Sequence, residues 1–261
     1  MSNYSRLEMM AIAGARLLAN GEVVLVGTGL PLVSTLLAKH GHTPDAIVLM
    51  ESGLYDSNPQ ALPFCVADAR GVYQTPWIGT AVELMGQFLQ NQMVDVGFLG
   101  GAQVDRFGNI NSTCIGSYAE PNKRFEGSGG ACDIAILAKK TIIIIAHERQ
   151  RFVDKVDFLT SPGWKVRRYP DGKLIPREEA GLWGGPYAVV STLGLMKFDP
   201  VSHEMYLEGY YADMGVTVEA VRENTGFYID VSKARPIEPP TRHELHLLRT
   251  EVDPEGIFMK Y

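Results

Sequence analysis

Apolar positions near the start of the chain recur with the period of a helix. Leu7, Met10, Ala11, Gly14, Leu17 and Leu18 share one helical face. Ser5-Arg6-Leu7-Glu8 in front of them has the form of a capping box: a hydroxyl for an early helical N–H and a carboxylate that reaches back. Asn20-Gly21 predicts the stop, since both residues tolerate the left-handed conformation of a C-cap. The pattern then shortens. Residues 22–26 form an apolar run of the kind expected for a parallel strand buried on both faces. It ends in Gly27-Thr28-Gly29-Leu30-Pro31, a turn from which a helix over 32–39 can start. Residues 46–50 repeat the strand pattern and deliver Glu51-Ser52-Gly53 at their end.

Farther on, 80–91 is amphipathic and feeds a strand over 94–99. The short runs 133–137 and 141–146 read as two more strands. Residues 187–198 and 204–211, divided at Asp199-Pro200, predict an antiparallel pair. A helix over 216–224 exits at Thr225-Gly226. The stretch 164–185, rich in glycine, proline and charge, reads as a long surface loop. Beyond Pro239-Pro240 a short helix and a tail remain, available to pack on a partner. Strands alternating with helices predict an α/β fold: an open, mainly parallel sheet flanked by helices, with an antiparallel C-terminal hairpin. No internal repeat or linker interrupts residues 1–261, so one domain is expected.

Composition narrows the function classes. With 46% hydrophobic and 21% charged residues, the 261-residue chain has the balance of a globular protein. A net charge of −6 argues against nucleic-acid binding, which leaves a basic footprint. It does not argue against an anionic ligand, because a few local donors can hold a phosphate on an acidic protein. Cys65, Cys114 and Cys132 are isolated, without the spacing of a zinc site or of paired disulfides, so no metal is expected. Ile142–Ile145 is the greasiest run and is far too short to cross a bilayer. The N-terminus lacks the basic flank and apolar stretch of a signal peptide, so a cytoplasmic protein without membrane attachment is expected.

Several places could carry chemistry. Glu51 follows four apolar residues, and the C-terminal end of a buried strand is where open α/β sheets bind ligands. Gly53 would allow a sharp turn that presents the carboxylate. The alternative is a strand-end glutamate that faces solvent or caps the next turn. Gly127-Ser128-Gly129-Gly130-Ala131 could aim backbone N–H groups at an oxyanion or a phosphate, although it has neither P-loop nor dinucleotide-fold spacing. Gly27-Thr28-Gly29 could equally serve only a tight turn. Gly100-Gly101-Ala102-Gln103-Val104-Asp105 and Gly108-Asn109-Ile110-Asn111-Ser112 follow a buried strand and are dense in polar groups. Asp105–Asn111 lacks the alternation and terminal glutamate of a calcium loop. His147-Glu148 offers a base or a hydrogen-bonded structural histidine. His243 and His246 are one residue short of the spacing that would put both on one helix face.

Taken in order, the motifs GTGLP, ESG, GGAQVD…GN, GSGGACD and strand–HE resemble family I CoA-transferase β subunits of the glutaconate CoA-transferase type. TSPGW (160–164) and ENTGF (223–227) extend the likeness to nearly the whole chain. The resemblance implies that Glu51 is the nucleophile and that Gly130 supplies an oxyanion-hole amide. Gly27, Gly29, Ser52, Gln103, Asn109, Gly129 and Ala131 would then line the acyl and CoA pocket. It implies coenzyme A as a substrate, carried on an acyl-CoA of dicarboxylic or glutaconate-like type, with a free carboxylic acid as acceptor and no metal. It also implies an α subunit that completes the site in an (αβ)n heteromer. The expected chemistry is ping-pong covalent catalysis, and a carboxylate nucleophile needs no general base. Two other readings use the same scaffold: an acyl-CoA hydrolase or lyase, whose known examples lack the ESG glutamate, and a non-catalytic binding partner. Tyr55, Tyr73 and Trp77 are candidates for the acyl pocket or, alternatively, core aromatics.

Overall fold

A capping box starts the first helix, α1 (Arg6–Ala15): Ser5 Oγ accepts from the Glu8 N–H at 3.2 Å, and Glu8 Oε2 accepts from the Ser5 N–H at 2.7 Å. The structure, a computed structural model, describes residues 3–259. They fall into two compact units, one through Phe98 together with the residues from Glu238 onward, the other Leu99–Ile237.

In the first unit, α1 ends at Arg16, earlier than Asn20-Gly21 predicts. The Arg16 guanidinium grips both oxygens of Glu244, at 2.7 and 2.8 Å, and the carbonyls of Glu238 and Pro239. Strand β1 (Val23–Val26), helix α2 (Leu30–His40) and strand β2 (Ile47–Met50) follow, and β1 pairs with β2 in parallel register from Val23↔Ile47 to Val26↔Met50. Short strands β3 (Leu54–Tyr55) and β4 (Trp77–Ile78) add antiparallel to β2. Helix α3 (Ala81–Glu83) runs on as a π-helical turn over Leu84–Leu89 before β5 (Val96–Leu99), which pairs in parallel with β1. The sheet order is β5-β1-β2-β3-β4. Val24–Val26 and Val48–Met50 are almost completely buried, which explains why they read as unbroken apolar runs.

The C-terminal helix (Arg242–Leu247) packs on α2 of its own unit and does not stand free for a partner. Its buried Leu245 and Leu247, with Leu248 and Val252 of the following turn, each contribute roughly 1.5–3 kcal/mol of burial.

The second unit opens with two antiparallel hairpins, β6 (Gln103–Val104) with β7 (Ile110–Asn111) and β8 (Cys114–Gly116) with β9 (Pro121–Arg124). Residues 133–137, predicted as a strand, lie in helix α4 (Ala131–Leu137). A five-residue apolar run does not by itself distinguish the two. The bonds from the Ala131 and Cys132 N–H groups to Ser128 O and Oγ decide for helix. Strand β10 (Lys140–Ile145) comes next, then the small hairpin β11 (Lys165–Arg167) with β12 (Leu174–Pro176) inside the supposed surface loop. Predicted strand 187–198 is itself a hairpin, β13 (Pro186–Ser191) and β14 (Gly194–Phe198), because Ser191 Oγ accepts the N–H groups of both Leu193 and Gly194 at 3.2 Å and turns the chain. Strand β15 (Met205–Tyr210) pairs antiparallel with β14, as predicted. Helix α5 (Val218–Glu223) and strand β16 (Arg235–Pro236) complete the unit, whose sheet order is β16-β15-β14-β13-β10. Strand β10 pairs in parallel with β13. The fold is α/β, with buried parallel strands, flanking helices and added antiparallel hairpins.

Arg177, in the stretch expected to be exposed, is completely buried. Its guanidinium donates to the carbonyls of Pro162 at 2.9 Å and Gly163 at 3.1 Å, and to those of Trp183 and Ala135. Burial lowers its pKa to about 10, so the cation persists at neutral pH, solvated by backbone.

Candidate active site

Strands β1 and β2 leave the sheet side by side after the Val26↔Met50 pair. One passes through Gly27, Thr28 and Gly29 into α2; the other turns at Glu51, Ser52 and Gly53 into β3. Gly29 has φ +84° just before α2, a conformation open to glycine, and Pro31 lies in the first turn of that helix. The Glu51 turn is closed by Gly53 N–H donating to Met50 O at 2.9 Å and by Gly79 N–H donating to Gly53 O at 2.9 Å. Gly53 has φ +106°, and a Cβ there would lie 2.3 Å from Gly79 O, so the turn requires glycine.

Glu51 is half-buried, and among the described residues nothing hydrogen-bonds or ion-pairs with its carboxylate. It therefore does not cap the following turn, which was the alternative the sequence left open. Ser52 Oγ beside it is shut off from solvent and likewise has no partner among the described residues. Unit one thus gathers Gly27, Gly29, Glu51 and Ser52 at the ends of two adjacent parallel strands. Nearby, Tyr55 and Trp77 pack on Phe88 of the π-turn, with centroids 5.4 and 6.1 Å apart, whereas Tyr73 is exposed.

In unit two, the glycine turn is fixed at its entry and free at its centre. Gly127 N–H donates to Ser112 O at 3.0 Å, and Ser112 Oγ donates to Gly127 O at 2.8 Å. Gly129 is left-handed at φ +49° and Gly130 right-handed at φ −79°, an alternation that turns successive N–H groups to one side. The N–H groups of Gly129 and Gly130 donate to no atom of the described residues, and Ala131 begins α4.

Gln103 and Asn109 are placed differently from a pocket lining. Gln103 Oε1 accepts from Asn111 Nδ2 at 2.8 Å and from the Asp157 N–H at 3.0 Å, and its Nε2 donates to Asp157 Oδ2 at 3.2 Å. Asn109 Nδ2 donates to Asp105 Oδ2 and Lys165 O, while its Oδ1 accepts from the Gly163 N–H at 2.7 Å. Both amides are buried and committed to the protein, so a ligand would have to compete with these bonds.

The two remaining sequence likenesses also have a local explanation. In 160–164, Thr160 Oγ1 accepts from the Ser112 N–H at 2.9 Å, and Gly163 sits so close to Phe107 O that a Cβ would approach within 2.2 Å. In 223–227, Thr225 supports His147. Asp157 and Gly79 carry no sequence signal and were not anticipated. Among the described residues no group of three or more His, Cys, Asp or Glu gathers as a metal would require.

His147 is a structural histidine. Its ring stacks on Phe152 at 3.8 Å, and burial pulls its pKa from 6.5 down to about 3. Thr225 Oγ1 donates to Val221 O at 2.8 Å, so it can only accept from His147 Nε2, 3.1 Å away; Nδ1 then accepts from Ser191 Oγ at 2.9 Å. The ring is neutral and held in one tautomer. Asp105 is its counterpart, raised from 3.8 to about 6 chiefly by burial, against the bonds it accepts from Asn109 and Phe107.

The signs of these two groups oppose. Between about pH 3 and 6.5 the unfolded chain holds a proton at His147 that the folded chain lacks, so stability is lost as pH falls. Between 3.8 and about 6 the folded chain holds the extra proton at Asp105, so stability rises as pH falls. Urea unfolding at pH 7 and pH 5 is expected to separate them. The deficit of His147→Gln should shrink by about 1–2 kcal/mol on acidification, and that of Asp105→Asn should grow by a similar amount. Deficits independent of pH would show that neither group titrates as its surroundings dictate.

Comparison with known proteins places these features. The family model described as Coenzyme A transferase matches residues 7–224. The chain is 43% identical to the B subunit of glutaconate CoA-transferase from Acidaminococcus fermentans, across 99% of this chain and 96% of that one. It is 40% identical to the B subunit of 3-oxoadipate CoA-transferase from Pseudomonas knackmussii, across 95% of this chain and 94% of that one. The crystal structure of glutaconate coenzyme A-transferase from Acidaminococcus fermentans superposes with a TM-score of 0.90 at 41% identity, covering 99% of this chain and 98% of that one. With strand ends, glycine turns and length all matched, the chain belongs to the coenzyme A transferase family.

Proposed function

We propose that this chain is the β subunit of a heteromeric CoA-transferase and that Glu51 is its nucleophile. The observation that carries the reading is the Glu51 carboxylate itself: half-buried, unpartnered among the described residues, and held at the end of a buried parallel strand by a turn that only glycine completes. A carboxylate merely capping or solubilising the turn would have a backbone partner or full exposure.

In this mechanism a Glu51 oxygen attacks the thioester carbonyl of an acyl-CoA. The oxyanion that forms is stabilised by the Gly130 N–H, with Gly129 and Ala131 shaping the turn; one such donor is typically worth about 3–4 kcal/mol of barrier. The C–S bond breaks and CoA leaves as thiolate, giving a mixed anhydride. The thiolate then attacks the glutamyl carbonyl, releasing the first acid and leaving CoA as a thioester on Glu51. An incoming carboxylate runs the same steps in reverse. Gly27, Gly29 and Ser52 border the acyl side of this turn. Gln103 and Asn109 act by holding the loops of their own unit, since their amides are already engaged.

The relatives named for glutaconate and 3-oxoadipate both act on dicarboxylic acids, which supports a dicarboxylic acyl group here. Each is named as one of the subunits of its enzyme, which supports an α partner and an (αβ)n assembly working in the cytoplasm. No helix among the described residues is long and apolar enough to cross a membrane.

The test is to co-express the chain with its α partner, add an acyl-CoA without acceptor, and map the Glu51 peptide by mass spectrometry. A CoA-sized adduct that disappears on adding an acceptor acid is expected. Steady release of free CoA with no adduct would favour hydrolysis on the same scaffold.

A further inference from the structure

The turn that carries Glu51 is braced from outside by a side chain that the mechanism above does not use. Strands β3 and β4 pair Tyr55 with Trp77 and Leu54 with Ile78, and the next rung sets Gly53 against Gly79. At that rung the backbones come so close that a Cβ on Gly53 would meet Gly79 O at 2.3 Å. Gly79 is glycine for a separate reason: the six-membered ring of Trp77 folds along the strand over it. A Cβ on Gly79 would lie 2.1 Å from Trp77 Cη2 and 2.4 Å from Cζ2. On a strand, residues two apart share a face, so an indole can cover the bare backbone of a glycine two positions on. Phe88, on the π-turn, packs against both the indole and Tyr55.

We infer that Trp77 is a positioning residue for the Glu51 nucleophile, acting through the backbone of Gly79 on the turn closed by Gly53. The contacts form a short relay. Phe88 holds the indole, the indole covers Gly79, and Gly79 bonds to and crowds Gly53, two residues from Glu51. Covering the Gly79 N–H to Gly53 O bond excludes competing water and leaves the turn few alternatives to its φ of +106° at Gly53. This rests on Glu51 being the nucleophile. A misplacement of the attacking carboxylate by about 1 Å would cost about a hundredfold in rate without touching the substrate's distant binding contacts.

The relay has a test that ordinary destabilisation does not mimic. In the complete heteromer, Trp77→Ala is expected to lower kcat by about 10–100-fold, with KM changed by less than about threefold and slower formation of the Glu51–CoA adduct in a single turnover. Gly79→Ala is expected to do the same by expelling the indole. In the double variant Trp77→Ala/Gly79→Ala the new methyl occupies space the indole has left. Its kcat should therefore be no lower than that of Trp77→Ala alone. Three results would overturn the inference: wild-type kcat in Trp77→Ala, losses that multiply in the double variant, or a rise in KM at constant kcat, which would make Trp77 a substrate contact. Failure of the underlying reading looks different. Wild-type enzyme forming no adduct on Glu51 would remove both, whereas a wild-type adduct with unaltered rates in the variants removes only the role of Trp77.

Discussion

Glu51→Ala is expected to reduce acyl-to-acid CoA transfer by about four orders of magnitude or more while leaving the protein as stable as before. The rate loss follows from covalent catalysis. Without the carboxylate there is no anhydride and no enzyme-bound thioester, and direct attack of the acceptor acid on acyl-CoA must replace both steps. Removing a nucleophile from an enzyme that depends on it has cost about 10⁶-fold in kcat elsewhere, so about 10⁴-fold, or roughly 5–6 kcal/mol of barrier, is a conservative figure. The unchanged stability follows from the site. The carboxylate makes no internal hydrogen bond or ion pair among the described residues, so its removal leaves nothing unsatisfied. Surface-like truncations of this kind stay within about 0.5 kcal/mol. Initial rates and urea midpoints measured on the same preparation decide it. A variant that keeps a tenth of the wild-type rate, or one that loses activity only because it unfolds, would reject Glu51 as nucleophile.

The largest effect on stability is expected at Arg177, a residue with no assigned part in chemistry. Its guanidinium is the shared donor for the carbonyls of Ala135, Pro162, Gly163 and Trp183. Arg177→Met keeps much of the side-chain volume but leaves those acceptors buried without a donor. Each such group costs about 1–3 kcal/mol, offset in part by no longer desolvating a cation. A net loss of about 3–5 kcal/mol is expected, or a fall in Tm on the order of 10 °C. Arg177→Lys should recover only part of this, because one ammonium cannot span carbonyls presented to a planar fork. Calorimetry on the wild type and both variants provides the check, and a Tm for the methionine variant within about two degrees of wild type would contradict the account.

The contrast between these residues shows what the sequence made legible. Glu51 was visible because its setting is local: four apolar residues, a carboxylate and a glycine are enough to place it at a strand end. The parallel strands β1, β2 and β10 were visible for the same reason, since burial on both faces leaves an uninterrupted apolar run. Helix α4 was missed because five apolar residues suit either element, and the deciding bonds come from Ser128, outside the run. Arg177 was hidden within Pro176-Arg177-Glu178-Glu179, a stretch whose charge pattern matches an exposed loop; only tertiary contacts show that the arginine points inward. Gln103 and Asn109 were singled out as loop polar groups. Several of their bonds, such as those to Asp157 and Gly163, reach segments some fifty residues away, beyond any local pattern. Family resemblance aligned these residues with pocket loops, but side-chain geometry was needed to give them a holding role.

The indole folded over Gly79 has an optical consequence. The chain has three tryptophans, and Trp164 and Trp183 belong to the other unit. Trp77 is therefore an intrinsic fluorophore within two rungs of the Glu51 turn, and indole emission responds to nearby charge and to water. Loading Glu51 with CoA converts an anion into a neutral thioester, and this should shift or quench the Trp77 signal in real time. A variant with phenylalanine at positions 164 and 183 would then report each half of the ping-pong cycle by stopped-flow emission, with no label attached.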